Sequence, residues 1–147
     1  METIFNLSNL FVLPFWLLMI ILPHWRWTQR ILRSLLPVAA LALVYTLLLA
    51  TQIGSAAVSL LNPSLASIAA LLGSPAGATV AWVHFLAFDL FVGRWAYLDS
   101  RERSLSAWWV SPALFFVLMA GPFGLLLYLS GREIALRRGR PGASVAL

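Results

Sequence analysis

The 147-residue sequence has no cysteine, no lysine and only two histidines, and charged residues make up just 10% of it. Without cysteine there is no disulfide, no thiolate metal site and no cysteine nucleophile. Two histidines fall short of the large histidine sets on which membrane di-iron oxygenases draw, which excludes a di-iron hydroxylase, desaturase or ketolase. A glycine-rich nucleotide loop and a serine nucleophile elbow are also missing, so any reaction here needs only acid-base chemistry, with no metal and no cofactor. What is abundant is apolar: 61% of the residues are hydrophobic, more than a water-solvated surface tolerates. The chain reads as an integral membrane protein. A hydrocarbon core about 30 Å thick takes roughly 20 helical residues to cross, so the length allows about four spans and no extramembrane domain. All ten cations are arginine and meet five acids, a net charge of +5 that suits the lipid bilayer's anionic head groups and points to no nucleic acid.

The expected fold is all-α, a membrane four-helix bundle forming a single domain over residues 1–130. Its spans fall at about 4–22, 35–53, 78–97 and 111–130. The first span carries Pro14 in mid-run, which frees the carbonyl of Leu10, and closes at Pro23. It has no basic leader and no small-residue cleavage motif, so it is expected to stay uncleaved. After it, His24, Trp25, Arg26, Trp27, Arg30 and Arg33 mix indoles with guanidinium groups, the pattern of a membrane interface. Between spans two and three the chain is apolar but broken by Asn62-Pro63, Gly73 and Pro75. A short interfacial or re-entrant helix is expected there, around Leu65 to Leu72. The fourth span holds Gly121-Pro122-Phe123-Gly124 at its middle, and residues 131–147 are expected to be a basic flexible tail. Four spans place Arg26, Arg30, Arg33, Arg94, Arg101 and Arg103 on one side, and Arg132, Arg137, Arg138 and Arg140 on the other. That split is a weak vote for both termini outside.

Asp89 carries the most information. An ionisable group near the centre of a span costs about 3 kcal/mol or more, so it should face the interior and have a partner. At 100° per residue, His84 and Arg94 each lie about 140° around the helix from Asp89, whereas Trp82, Phe85 and Gly93 lie close to its face. The partner is therefore expected on another helix or at the carbonyls freed by Pro14 and Pro122, with Gly93 admitting a second backbone. Three readings stand: polar contacts that hold helices in register, a proton-transfer or ligand site, and a transported-ion site. Arg94 is expected to reach for the interface, and His24 to be interfacial.

Three stretches carry a resemblance: Leu10-Phe11-Val12-Leu13-Pro14-Phe15-Trp16, Leu65 to Ser74, and Trp82-Val83-His84 continuing through Asp89-Leu90-Phe91 to Arg94. Through them the chain resembles the membrane family of the plant abscisic-acid-deficient 4 protein, known as neoxanthin synthase, from about residue 4 to 130. The resemblance implies a link to carotenoid biosynthesis, where the family is associated with converting the epoxide violaxanthin into the allenic neoxanthin. Such an isomerisation needs one group to protonate the epoxide oxygen and another to remove a neighbouring carbon-bound proton. On that reading Asp89 and His84 are the catalytic pair, assisted by Arg94, and Trp82, Phe85, Gly93 and Trp16 contact a carotenoid ligand. The alternative is a non-enzymatic small subunit, or homo-oligomer, docked through Gly121 and Gly124 in a larger pigment-binding membrane complex. The arginine-rich tail and missing transit-like leader suggest a bacterial inner or thylakoid-type membrane, crossed several times.

Overall fold

The computed structural model describes residues 1–54, 57 and 61–138. Among them the chain is all-helical, with α1 (Glu2–Ile21), α2 (Arg26–Arg33), α3 (Leu36–Thr51), α4 (Leu65–Gly73), α5 (Pro75–Glu102) and α6 (Ala107–Arg138). By length and composition α1, α5 and α6 are long and apolar enough to cross a membrane; α2 and α3, bent by 42° at their junction, add a fourth if taken together. The described residues form two compact units, one of Met1–Phe15 and Ser34–Phe91, the other of Trp16–Arg33 and the chain from Val92 onward.

In the first unit, Leu48 of α3 and Val80 and Val83 of α5 form a buried cluster, flanked by Ile4, Val44 and Leu49. Lipid tails are as apolar as leucine, so such a core is held by close packing and interhelical hydrogen bonds rather than by release from water. One such bond is present. The Trp82 indole donates to the Asn9 side-chain oxygen at 3.0 Å, and Asn9 returns its own amide to the Phe5 carbonyl at 2.8 Å. Three serines punctuate the chain. Ser64 and Ser67 form a reciprocal cap at the start of α4, and the Ser74 hydroxyl accepts from the Gly77 amide at 3.0 Å, starting α5 with Pro75 in its first turn.

The second unit ties the end of α1, α2 and the end of α5 together. The Tyr97 hydroxyl donates to the Pro23 carbonyl at 2.8 Å, and the Thr28 hydroxyl to the Leu22 carbonyl at 2.8 Å. At the end of α5, Ser104 adopts a φ of 54° and the Leu105 amide reaches back to the Ser100 carbonyl at 2.8 Å, a left-handed helix stop.

The helix α6 is not straight. At Ala120 the backbone leaves the helical region (φ −151°, ψ 58°), and contacts pair up across that point. Phe116 meets Phe123 with ring centroids 5.3 Å apart, and Trp109 stacks on Tyr128 at 5.8 Å. Nineteen residues of straight helix would separate Trp109 from Tyr128 by about 28 Å. The segment is therefore a hairpin of two arms, 107–119 and 121–138. Gly124 is what lets the arms touch, because a Cβ there would overlap the backbone of Phe116 and Val117. The expected span at 111–130 falls within α6, with the break at Ala120 inside it. The expected tail is corrected. Helix continues through Gly131 to Arg138, held by Trp109 packed on Gly131 and by an ion pair from Arg132; residues 139–147 lie outside the described residues.

Charge follows the same division. The only charged side chains of the first unit are Glu2 and Asp89, while every arginine up to Arg138 falls in the second. With α6 turned back, Arg132 sits beside Asp99 and Arg103 instead of across the bilayer from them. The arginines up to Arg138 thus all belong to the second unit. The cysteine-free sequence suits a direct check. Ser106→Cys and Arg138→Cys, labelled with a membrane-impermeant maleimide, are expected to react from the same side. Opposite labelling of 106 and 138 would restore a straight α6.

Candidate functional site

His84 lies on α5 between two aromatic rings, with centroids 4.6 Å from Phe88 and 5.3 Å from Tyr45. It lines a pocket of about 180 Å³ in the first unit, whose polar groups are His84, Tyr45 and Gln52 and whose walls include Leu49, Leu71 and Phe85. Helix α4 closes one side. A Cβ at Gly77 would overlap the Leu71 carbonyl, so glycine at that position lets α4 and α5 approach this closely. The volume is below that of a drug-sized ligand site, so it suits one ring of a larger molecule rather than the whole. A second hollow of about 630 Å³ runs between α1 and α3, lined by Leu7, Phe11, Val44 and Leu47 with Ser8 as its one hydroxyl. Its chemistry matches a hydrocarbon chain.

Asp89 is half-buried on α5, and among the described residues its carboxylate makes no hydrogen bond and no ion pair. The partner expected from another helix is not found among the described residues. His84 and Asp89 are not joined. Five residues separate them, about 7.5 Å along the helix axis, and Asp89 does not line the His84 pocket. Trp82 and Phe85, expected beside Asp89, are 41% and 55% exposed, so this face of α5 presents aromatic rings outward.

The remaining sequence candidates belong to the second unit and serve packing. Trp16 is 2% exposed, and its ring lies on Gly93, where a Cβ would overlap it. The close approach at Gly93 is thus by an indole, where the sequence suggested a second backbone. Arg94 donates to the Arg33 carbonyl at 2.9 Å, satisfying a carbonyl at the end of α2. Gly121 and Gly124, the expected docking face, are buried within the α6 hairpin.

Two sets of residues escaped the sequence reading. Tyr45, Leu48 and Leu49 of α3 and its C-cap Gln52 recur at offsets of three, four and seven, a spacing that could have singled out Tyr45 and Gln52. Asp99 is the other. Its carboxylate accepts from Arg103 and Arg132 at 2.7 Å each and from the Tyr128 hydroxyl at 2.6 Å. Tyr128 is fully buried against Trp95 and Trp109, so this cluster clamps the second arm of α6 to the end of α5. Among the described residues no three metal-ligating side chains converge.

Comparison with known proteins gives one consistent result. A family model described as ABA DEFICIENT 4-like matches residues 3–128. The curated protein ABA DEFICIENT 4, chloroplastic, of Arabidopsis thaliana is 29% identical over 110 residues, covering 71% of this chain and 50% of the relative. The chain thus spans half the length of that relative. No solved structure matches.

Proposed function

Because this chain belongs to the ABA DEFICIENT 4-like family, we propose that it handles carotenoids within the membrane, binding an oxygenated end ring at His84 and isomerising an epoxide there without a cofactor. The observation that carries the reading is the small pocket with three polar groups in otherwise apolar walls. An epoxy-carotenoid has that character: a hydrocarbon chain ending in rings that bear oxygen. On this reading the His84 imidazole and the Tyr45 hydroxyl, which line the pocket together, give and take protons at such a ring. In the isomerisation a proton adds to the epoxide oxygen, the carbon–oxygen bond opens, and a proton leaves the neighbouring carbon. Atoms and electrons balance within one molecule. Asp89 lies outside that pocket, about 7.5 Å along α5 from His84, and serves as the second proton carrier for the part of the ligand that extends beyond the pocket.

Purification from a host that makes both hydrocarbon and oxygenated carotenoids tests the binding half. Oxygenated carotenoid is expected to co-purify in preference to carotene, and Tyr45→Phe to reduce that preference. A preparation that carries no pigment, or carries both kinds equally, would contradict the reading. A non-enzymatic role in a larger complex predicts bound pigment with no change in its structure.

A further inference from the structure

A third hollow lies wholly in the second unit. It is an open cleft of about 1200 Å³ where the end of α1, the start of α2 and the α5–α6 turn meet. Its lining holds two arginines, Arg26 and Arg101, together with His24 and Gln29, and no acidic side chain. Arg101 is oriented by donating to the Leu105 carbonyl at 2.6 Å, which leaves guanidinium donors over. The Arg26 guanidinium rests 5.5 Å from the Trp27 ring centre, and among the described residues it makes no hydrogen bond and no ion pair. The side chains of His24 and Gln29 likewise have no hydrogen-bond partner there. Asp99 holds Arg103 and Arg132 instead, and Glu102, next to Arg101 in the chain, does not line the cleft.

Two exposed indoles, Trp25 and Trp108, flank the cleft, a pairing characteristic of head-group depth. Its floor on the α1 side is aliphatic. Donors above and hydrocarbon below describe a ligand with phosphate oxygens at one end and acyl chains at the other. We propose that this cleft binds the head group of an anionic phospholipid, with Arg26 and Arg101 on its phosphate oxygens. Guanidinium groups suit this role because their planar donors match two phosphate oxygens at once. The site is separate from the His84 pocket and stands whether or not the chain acts on carotenoids.

Native mass spectrometry of the full-length protein in detergent reads the result directly. Phosphatidylglycerol is expected to remain bound where phosphatidylcholine is lost, and Arg26→Gln to lower phosphatidylglycerol occupancy about tenfold. Arg101→Gln should act in the same direction, with its thermal unfolding followed alongside because Arg101 also holds Leu105. Arg137→Gln, which pairs with Glu133 outside the cleft, should leave occupancy unchanged. Equal retention of the lipid by wild type and Arg26→Gln would overturn the proposal. Displacement of the lipid by millimolar inorganic phosphate would overturn it too, by showing that the site takes a free anion.

Discussion

Gly124→Ala is expected to lower the stability of the protein by about 3 kcal/mol, although alanine is the better helix former by about 1 kcal/mol. The sign reverses because of what the added methyl meets. A Cβ at residue 124 overlaps the backbone of Phe116 and Val117, and backbone cannot rotate away as the end of a flexible side chain can. The two arms of α6 would have to part. Parting them also pulls Tyr128 off Trp109 and loosens the bonds from Tyr128 and Arg132 to Asp99. Melting followed by tryptophan fluorescence reports on this directly, since Trp109 and Trp95 both pack on Tyr128. A fall of roughly 10 °C in the melting temperature is the expected size. If Gly124→Ala melts at or above the wild-type temperature, the hairpin is wrong.

The second large effect concerns chemistry. Asp89→Asn is expected to cut product formation at least a hundredfold, the low end of what a positioned acid or base supplies, while the melting temperature stays put. The two halves rest on different observations. Asp89 makes no hydrogen bond or ion pair among the described residues, so the amide removes no contact that holds the fold. An unpartnered carboxyl in a membrane helix is nevertheless expensive, which calls for a use beyond structure. His84→Gln is expected to match the loss of product. It should also cost about 1 kcal/mol of stability, because the ring contacts with Phe88 and Tyr45 go with the imidazole. An Asp89→Asn protein that unfolds, or that forms product at the wild-type rate, would remove Asp89 from the site.

How far the sequence could be read depends on the range of the interactions involved. Helix content follows from long apolar runs and from local stops such as Pro23 and Pro75, all of which act within a few residues. The hairpin does not. Gly121-Pro122 inside an apolar run looks the same for a kinked span as for a turn, and the two arms differ from one long helix only through contacts such as Trp109 with Tyr128. Asp99 was hidden for the same reason: it passes for an ordinary charge at a span end until α6 turns back and delivers Arg132, 33 residues away. In the site, His84 and Asp89 stood out because polar residues inside an apolar helix are rare. Tyr45 and Gln52 did not, because what gives them meaning is the α3 face turned toward His84. At Gly93 the need for close approach was visible, but only packing could show that an indole ring fills the space.

The most direct test of the central claim is the pigment profile of a bacterium that accumulates an epoxy-carotenoid, compared with and without this protein. An isomerase predicts that the epoxide peak declines and that a new carotenoid of identical mass but different absorption appears, with neither change in cells carrying His84→Gln. An unchanged profile in cells that contain both the folded protein and the epoxide would contradict it.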